Sequence, residues 1–208
     1  MLHQIISAGF GGQGVLLLGQ LIAYAGLKEG KNVSWLPSYG PEMRGGTANC
    51  CVVVSDDEVG SPVVTEADVV VVMNRPSFEK YEKSVVPGGK LFVNSSLIDL
   101  KTTRTDIEVY YVPVNNIADE LGNGRVANMV MLGAVLEKTH MVSPKTAIEC
   151  LAASFGERKA HLIPVNEQAL EKGDKTALDY AVKRDLLLHT AMAFLQGFPM
   201  LNCGDEIA

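Results

Sequence analysis

The sequence predicts an α/β fold: three α/β/α layers around a mixed, mostly parallel sheet, with a helical C-terminal third. Three observations support this class. A short apolar run leads through a glycine cluster into an apolar helical stretch, the order that opens a βαβ unit. Later apolar runs are continuous, as in strands that are buried on both faces. The last third of the chain carries helix signals and no strand pattern.

The first half of the chain contains the predicted strands, each a short apolar or β-branched run ended by a turn signal. They are His3–Ala8, Asn32–Leu36, Thr47–Ser55, Asp68–Met73, Lys90–Asn94 and Ile107–Val112. Val15–Leu27 is predicted as a buried helix that ends at Gly30, and Pro76–Val85 as a short helix. Val59–Val64 is a candidate return strand for a hairpin, although its proline limits it to a sheet edge.

The second half is predicted to be helical. The predicted helices are Asn115–Leu121, Arg125–Lys138, Pro144–Gly156, Asn166–Lys172 and Thr176–Leu195. Ser143 has the position of an N-cap, Asn166 is a second N-cap candidate, and Gly173 is expected to end the helix before it. No linker or repeat interrupts the chain. We therefore expect one α/β domain over residues 1–175 and a helical extension over residues 176–208, packed on the same domain.

Composition limits the functional classes. A chain of 208 residues with 47% hydrophobic and 20% charged residues is expected to fold as an ordered globular domain. A net charge of −6 and the lack of a basic run argue against a nucleic-acid partner. No apolar stretch reaches about 18 residues, so we expect no membrane span. The N-terminal residues show no basic segment followed by an apolar segment, as a secretory signal would have. We therefore expect a cytoplasmic protein.

The cysteines predict neither a metal site nor an iron–sulfur cluster. Cys50, Cys51, Cys150 and Cys203 form no C-x-x-C pattern, and none has a histidine at metal-ligand spacing. We expect reduced and mostly buried thiols. No nucleophile stands beside a base, so the sequence predicts no catalytic residue. A chain of this kind is expected to hold a ligand or a partner for chemistry done elsewhere.

The glycine cluster is the first candidate site. It satisfies G-x-G-x-x-G between a strand and a helix, a Rossmann-like start in which backbone N–H groups face an anion. The acidic residue that would hold a ribose is missing after the second strand, which disfavours a NAD(P) site. An anion or coenzyme-phosphate site and a purely structural or subunit-packing turn both stay open. The adjacent glycines predict positive φ or a close approach. The candidate cofactor-binding residues are Gly9, Gly11, Gly12, Gln13 and Gly14.

The loop Ser38–Gly46 is the second candidate. It leaves a strand at the edge where α/β sheets place their sites. Arg44, flanked by glycines, is a candidate for binding a phosphate or carboxylate. A salt bridge to Glu42 or to a partner chain is the alternative interpretation. Tyr39 and Met43 beside it suit a protein interface.

Four ordered segments resemble a known family. They are GFGGQGV from Gly9, SYGPEMRGGTANC from Ser38, ADVVVVMN from Ala67 and PGGKLFVNSSLI from Pro87. Together they resemble the gamma subunit of 2-oxoacid:ferredoxin oxidoreductases, especially the 2-oxoglutarate and branched-chain 2-oxoacid types. The resemblance covers about Gly9–Gly173, and no motif of the family is recognisable from Thr176 onward.

The resemblance implies a three-layer domain that acts as a non-catalytic subunit. The complex converts a 2-oxoacid, CoA and oxidised ferredoxin into acyl-CoA, CO2 and reduced ferredoxin. Thiamine diphosphate is implied between the alpha and beta subunits, and iron–sulfur clusters on the beta or delta subunits, with no cofactor held tightly by this chain. A gamma subunit packs on the alpha subunit near the CoA site, which makes the Gly9–Gly14 turn and Arg44 candidates for coenzyme contacts. The chain alone is expected to be inactive and to form a homodimer.

Two other classes remain alternatives at this stage. One is a stand-alone nucleotide-binding α/β protein or NAD(P)-dependent oxidoreductase that uses the same turn. The other is a scaffold that binds no small molecule. Under the family interpretation, the contacts that select the 2-oxoacid are expected on the other subunits.

Overall fold

The computed structural model describes residues 1–40 and 46–178, and its six strands form one sheet. The strands are β1 (Leu2–Phe10), β2 (Asn32–Tyr39), β3 (Thr47–Ser55), β4 (Ala67–Val72), β5 (Val85–Asn94) and β6 (Glu108–Val112). Their order across the sheet is β2-β3-β1-β4-β5-β6. The pairs β1–β4, β4–β5 and β5–β6 are parallel, whereas β3 is antiparallel to both of its neighbours. The predicted mixed, mostly parallel sheet is confirmed.

Helices follow β1, β4 and β6, and helices dominate the last third of the described chain. They are α1 (Val15–Lys28), α2 (Arg75–Tyr81), α3 (Val114–Glu120), α4 (Ala127–Thr139), α5 (Pro144–Phe155) and α6 (residues 163–178). Three 3-10 segments complete them, at Glu82–Ser84, Gly124–Val126 and Glu157–Leu162. Within the two described ranges, no helix combines the length and the apolar character needed to cross a membrane.

The two faces of the sheet are covered differently. One face packs against α1 and α3–α6, around fully buried side chains such as Phe92 and Leu132. The other face packs against α2 and the segments that follow β3 and β5, around Phe78 and Leu91. Alternate valines of β4 enter the two cores, which explains its uninterrupted apolar sequence. The sheet therefore has helices on both faces, as the predicted fold class requires.

The first strand–helix–strand unit differs from the prediction in one respect. β1 and β2 are parallel, but β3 lies between them and is hydrogen-bonded to both. The antiparallel partner of β3 beyond β1 is therefore β2, and not the candidate return strand Val59–Val64, which is irregular. Gly60 and Pro62 weaken that candidate, because glycine lacks a side chain to pack and proline lacks the ladder N–H.

The predicted helix stop at Gly173 is wrong. Residues 163–178 are continuously helical, and Asn166 lies in the first turn of α6 instead of capping it. Gly173 is inside the helix because it faces α4, where an added Cβ would overlap the carbonyl group of Val130. Residues 179–208 lie outside the described part of the chain. The C-terminal extension therefore stays a prediction, and its first residues, 176–178, continue α6.

We expect His140→Gly to stabilise the protein. His140 is the C-cap of α4 and has φ of 50°, the left-handed conformation that disfavours a side chain. Glycine removes a conformational cost of about 1 kcal/mol, so the free energy of unfolding should rise by about 0.5–1 kcal/mol. Urea denaturation measures the change. His161→Gly, in the 3-10 segment, is the matched control, and an equal gain in both variants would contradict the cap argument.

Candidate functional site

The glycine turn joins β1 to α1 at the carboxyl edge of the parallel strands. Its φ angles are +100° at Gly12 and +75° at Gly14, both in the left-handed region. The expectation of positive φ is confirmed at Gly12, while Gly11 is not among the glycines that show it. Gly12 is exposed, and nothing lies within 4 Å of a Cβ built on it. Its backbone is therefore accessible to a ligand or to another chain.

Gly9 and Gly14 are packed against their surroundings. A Cβ on Gly9 would lie 2.7 Å from Oε1 of Gln13 and 2.8 Å from Cγ1 of Val15. A Cβ on Gly14 would lie 2.7 Å from the carboxamide of Asn128 on α4. These two predicted site residues thus let the turn pack closely, and Gly12 is the exposed residue of the turn, while Gly11 is partly buried.

The side chain of Gln13 connects the turn to the end of β4 by hydrogen bonds. Its Oε1 accepts a hydrogen bond from the Phe10 amide at 2.7 Å and one from Nδ2 of Asn74 at 3.3 Å. Its Nε2 donates to the carbonyl oxygen of Met73 at 3.2 Å. Both ends of the carboxamide are therefore engaged within the protein. Gln13 holds the turn in shape, and any contribution to ligand binding acts through that geometry.

A chain of asparagines extends this network along the carboxyl edge. Nδ2 of the buried Asn94 donates to the Met73 carbonyl at 3.2 Å and to Oδ1 of Asn115 at 2.8 Å. Oδ1 of Asn74 accepts from the Ser77 amide at 2.9 Å and so caps α2. The sequence analysis did not single out these residues. The available signal was an asparagine at the end of each of two apolar strands: Asn74 directly after the predicted strand Asp68–Met73, and Asn94 as the last residue of the predicted strand Lys90–Asn94.

The first turn of α1 lacks a local partner for its N–H groups. Its N-cap is Gly14, which has no side chain to accept them, and the first turn holds no acidic residue. The positive end of the helix dipole is consequently not compensated by α1 itself. An anion near Gly12–Gly14 would meet both the free N–H groups and this field.

Arg44 lies outside the described residues, so its position beside the turn stays a prediction. The two described ends of its loop are held at the same edge of the sheet. The Gly40 amide donates to the Thr47 carbonyl at 2.7 Å, and the Gly11 amide donates to the Gly46 carbonyl at 2.9 Å. The loop therefore leaves and re-enters the fold directly next to the turn.

Among the described residues, no groups for nucleophilic or metal chemistry are assembled around the turn. Burial raises the pKa of the Cys50 thiol to about 12, and burial also raises the pKa of Cys150. Cys203 lies outside the described residues. In residues 1–40 and 46–178, no group of three or more His, Cys, Asp or Glu is placed to hold a metal ion. The site's described chemistry is backbone N–H groups, carboxamides and a helix N-terminus.

Comparison with known protein families shows which family the chain belongs to. Residues 4–175 match the family described as pyruvate ferredoxin/flavodoxin oxidoreductase, which is well over half of the 208 residues. The chain belongs to that family. The resemblance carried by the four sequence segments is thereby confirmed.

Curated relatives of the family differ in length. Ketoisovalerate oxidoreductase subunit VorA of Methanothermobacter marburgensis is 44% identical over 129 residues, covering 62% of this chain and 27% of VorA. Its counterpart in Methanothermobacter thermautotrophicus is 43% identical over 171 residues, covering 82% of this chain and 35% of that VorA. The chain thus spans about a third or less of these two relatives. 2-oxoglutarate synthase subunit KorC of Methanocaldococcus jannaschii is 36% identical over 149 residues, covering 70% of this chain and 80% of KorC.

Solved structures of the family share the fold. The gamma subunit of a keto/oxoacid ferredoxin oxidoreductase from Geobacter sulfurreducens has a TM-score of 0.71 and 29% identity, covering 85% of this chain and 99% of that one. A second solved structure is the 2-oxoglutarate:ferredoxin oxidoreductase from Magnetococcus marinus with 2-oxoglutarate, coenzyme A and succinyl-CoA bound. It has a TM-score of 0.78 and 27% identity, and the match covers 86% of this chain and 31% of that one. None of these family members supports a stand-alone nucleotide-binding protein or an NAD(P)-dependent oxidoreductase.

Proposed function

We propose that this chain is a gamma subunit of a 2-oxoacid:ferredoxin oxidoreductase. The complex oxidatively decarboxylates a 2-oxoacid to acyl-CoA and reduces ferredoxin, while this chain packs on the alpha subunit and performs no chemistry itself. The observation that carries the proposal is the family match over residues 4–175, together with the 99% coverage of a solved gamma subunit. The alpha and beta subunits, and a delta subunit where the complex has one, supply the reacting groups in the cytoplasm.

Thiamine diphosphate and iron–sulfur clusters are assigned to the partner subunits. An iron–sulfur cluster needs several thiolates that converge on one point. Cys50 and Cys51 are neighbours on β3 and pack into opposite cores, so they cannot bind one cluster together. Cys150 lies on α5 with a raised pKa. The described cysteines do not fit a cluster, and we assign no electron-transfer step to this chain.

We place a contact with CoA at the glycine turn. CoA carries phosphate groups, and the uncapped N-terminus of α1 offers free N–H groups to an anion. Gly12 provides the accessible backbone, whereas Gly9, Gln13 and Gly14 hold the shape of the turn and the Gly11 amide is bonded to the Gly46 carbonyl. Gly11 stays a candidate contact on the ground of the sequence. Arg44 is proposed as a second, charge-bearing contact on the ground of the sequence alone.

We place the subunit interface at the β2 edge of the sheet. β2 is hydrogen-bonded only to β3 among the described strands, so its other side is open. Leu36 and Tyr39 on β2 are 41% and 54% exposed, and Tyr24 and Leu27 on α1 are 43% and 57% exposed. Apolar side chains at an open edge suit a partner chain. In the isolated chain a second copy would cover them, and light scattering should show a homodimer.

Co-expression tests the proposed role. The chain should show no 2-oxoacid oxidation when purified alone, and ferredoxin reduction should require its presence together with the alpha and beta subunits. Thiamine-dependent activity of the alpha and beta subunits that does not change when this chain is omitted would overturn the proposal. So would activity of the chain alone.

We expect Gly12→Ala to raise the KM for CoA in the assembled complex several-fold. The added methyl group projects into the open space in front of the turn, where the coenzyme would approach, and it strains a residue with φ of +100°. The strain alone should lower the free energy of unfolding by about 1 kcal/mol. Steady-state kinetics with varied CoA measure the effect, and Arg44→Ala in the same assay should raise this KM about tenfold or more.

Gly88→Ala is the matched control for Gly12→Ala. Gly88 is also exposed, has φ of +80°, and has nothing within 4 Å of a built Cβ, but it lies near the beginning of β5. Both substitutions should cost similar stability, and only Gly12→Ala should change the KM for CoA. Equal kinetic effects in the two variants would remove the turn from the proposed contact.

A further inference from the structure

A cavity lies at the amino edge of the parallel strands, at the opposite end of the sheet from the glycine turn. It has a volume of about 330 Å³ and is framed by the beginnings of β1 and β4, by β5 and by the end of α4. This volume is within the range of small-molecule sites. Along β1, the distance from His3 at the cavity to Gly9 at the turn is about 20 Å. The proposed CoA contact at the turn therefore does not account for this cavity.

An irregularity in the pairing of β4 with β5 opens this space. The ladder pairs Ala67 with Val85 and Val69 with Lys90, so that four residues of β5 lie opposite one residue of β4. The longer segment leaves the ladder and turns toward the cavity. Bulges of this kind bend a strand, change the direction of its side chains and are frequent next to functional sites. Two apolar residues of the segment line the cavity: Val86 and Pro87.

Two lysines line the cavity, and both are mostly shielded from solvent. The side chain of Lys138, at the end of α4, is 13% exposed, and that of Lys90, on β5, is 26% exposed. Nζ of Lys138 lies 3.8 Å from Oε1 of Glu137, and Nζ of Lys90 lies 3.6 Å from Oε1 of Glu108. Both distances are too long for a hydrogen bond, and neither ammonium has a closer acidic partner in residues 1–40 and 46–178. Shielded charges with such loose partners favour an anionic ligand.

The two acidic partners of these lysines are also engaged with other residues. Burial raises the pKa of Glu137, and its hydrogen bond with Asp174 raises this pKa further, so Glu137 is a weak counter-ion. Oε2 of Glu108 accepts a hydrogen bond from the hydroxyl group of Tyr110. The cavity lining itself has one carboxylate, Asp68, for its two lysines. With a neutral histidine, the lining therefore carries one positive charge in excess.

His3 has a ring nitrogen that the protein does not use. Its Nδ1 lies 3.2 Å from Oδ2 of Asp68, and Oδ1 of Asp68 accepts a hydrogen bond from the Gln4 amide at 2.6 Å. Because a carboxylate can only accept, Nδ1 of His3 carries the proton in this contact. Nε2 of His3 is buried and has no hydrogen-bond partner among the described residues. Asp68 thus orients the ring, and Nε2 is left for a ligand in the cavity that His3 lines.

We infer that this cavity binds a small monocarboxylate. The carboxylate lies against the ammonium groups of Lys90 and Lys138, and its single negative charge matches the excess positive charge of the lining. His3 is the third polar contact. A phosphate dianion fits less well, because Asp68 would repel its second negative charge. The inference is independent of the proposed subunit role and of the CoA contact at the turn. The carbon chain of the ligand lies along three apolar residues of the lining: Val69, Val86 and Pro87.

NMR titration of the full-length chain with three probes at constant pH tests the inference. Butyrate combines a carboxylate with a short apolar chain, butyramide has the same chain without the charge, and inorganic phosphate has charge without the chain. The Cε1 proton of His3, assigned by its loss in His3→Gln, reports binding. Butyrate should shift this resonance saturably and bind at least tenfold more tightly than either other probe. Lys90→Met and Lys138→Met remove the charge, keep the apolar stem, and should each weaken butyrate about tenfold.

Lys83→Met is the matched control. Lys83 is exposed and lines a neighbouring depression, which shares Val86 and Pro87 with the cavity. Its replacement removes the same charge from the same edge of the sheet and should leave butyrate binding unchanged. Without butyrate, the three lysine variants should melt at the temperature of the unmodified chain or above it, because no hydrogen bond of these lysines is lost.

Four results would overturn the inference. The first is that butyrate does not bind, and the second is that butyramide or inorganic phosphate binds as tightly as butyrate. The third is that the Lys90 and Lys138 variants bind butyrate unchanged. The fourth is a clearly lower melting temperature in both of these variants, because the two lysines would then stabilise the fold instead of holding a ligand.

Discussion

Gly133→Ala is expected to lower the free energy of unfolding by about 3 kcal/mol or more, the largest effect of the substitutions considered. Gly133 lies in α4, where α6 crosses it, and a Cβ at this position would overlap the carbonyl group of Leu170. Gly173 has the reciprocal position on α6, against Val130. The obstructing atoms belong to the backbone, so no side-chain rotation relieves the overlap, and α6 would have to move away from the core.

Urea denaturation of Gly133→Ala measures this effect, and Gly60→Ala is its control. Gly60 has nothing within 4 Å of a built Cβ and lies in the irregular segment after β3, so its replacement should change stability by less than about 0.5 kcal/mol. Gly173→Ala should resemble Gly133→Ala. A loss below about 1 kcal/mol in both helix variants would show that α6 does not pack closely on α4.

Gly14→Ala should also have a large effect on stability, next after the two glycines at the contact between α4 and α6. The substitution places a side chain at φ of +75° and also brings Cβ to 2.7 Å from the carboxamide of Asn128. Asn128 is 4% exposed and has little room to move. Backbone strain and overlap together should lower the free energy of unfolding by about 2–4 kcal/mol, measured by urea denaturation.

Gly30→Ala separates the two causes. Gly30 follows the other end of α1 with φ of +79°, and nothing lies within 4 Å of a built Cβ. Its replacement should cost only the backbone strain, about 1 kcal/mol. Equal losses in Gly14→Ala and Gly30→Ala would mean that Asn128 adjusts freely and that the turn is not held by α4.

The sequence predicted those elements that local patterns specify. β3 was predicted with its observed bounds, because a long β-prone run is ended by three acidic residues. The glycine turn and α1 were predicted because glycine spacing and an apolar helix are local signals. The strand order was only partly predicted, since the place of β3 between β1 and β2 depends on which pairing buries more surface. That choice is made by the whole sheet and not by any one segment.

Two residues show why the site was only partly predictable. Gly173 has the local signature of a helix stop, but contact with α4 decides its role, and that contact joins residues far apart in the chain. Asn166 was expected as an N-cap and instead lines a cavity together with Asn128 of α4. Asparagine side chains serve caps, turns and ligands equally well, so only their surroundings distinguish these roles.

The contact between Gln13 and Asn74 connects the two helical layers of the protein. Gln13 belongs to the turn before α1, and Asn74 caps α2 on the opposite face of the sheet. A displacement of the turn would therefore also strain the cap of α2, whose loss costs about 1 kcal/mol. The exposed backbone at Gly12 is braced from both sides of the sheet. The position of Gly12 therefore depends on both helical layers. A displacement of either layer would change the hydrogen bond between Gln13 and Asn74.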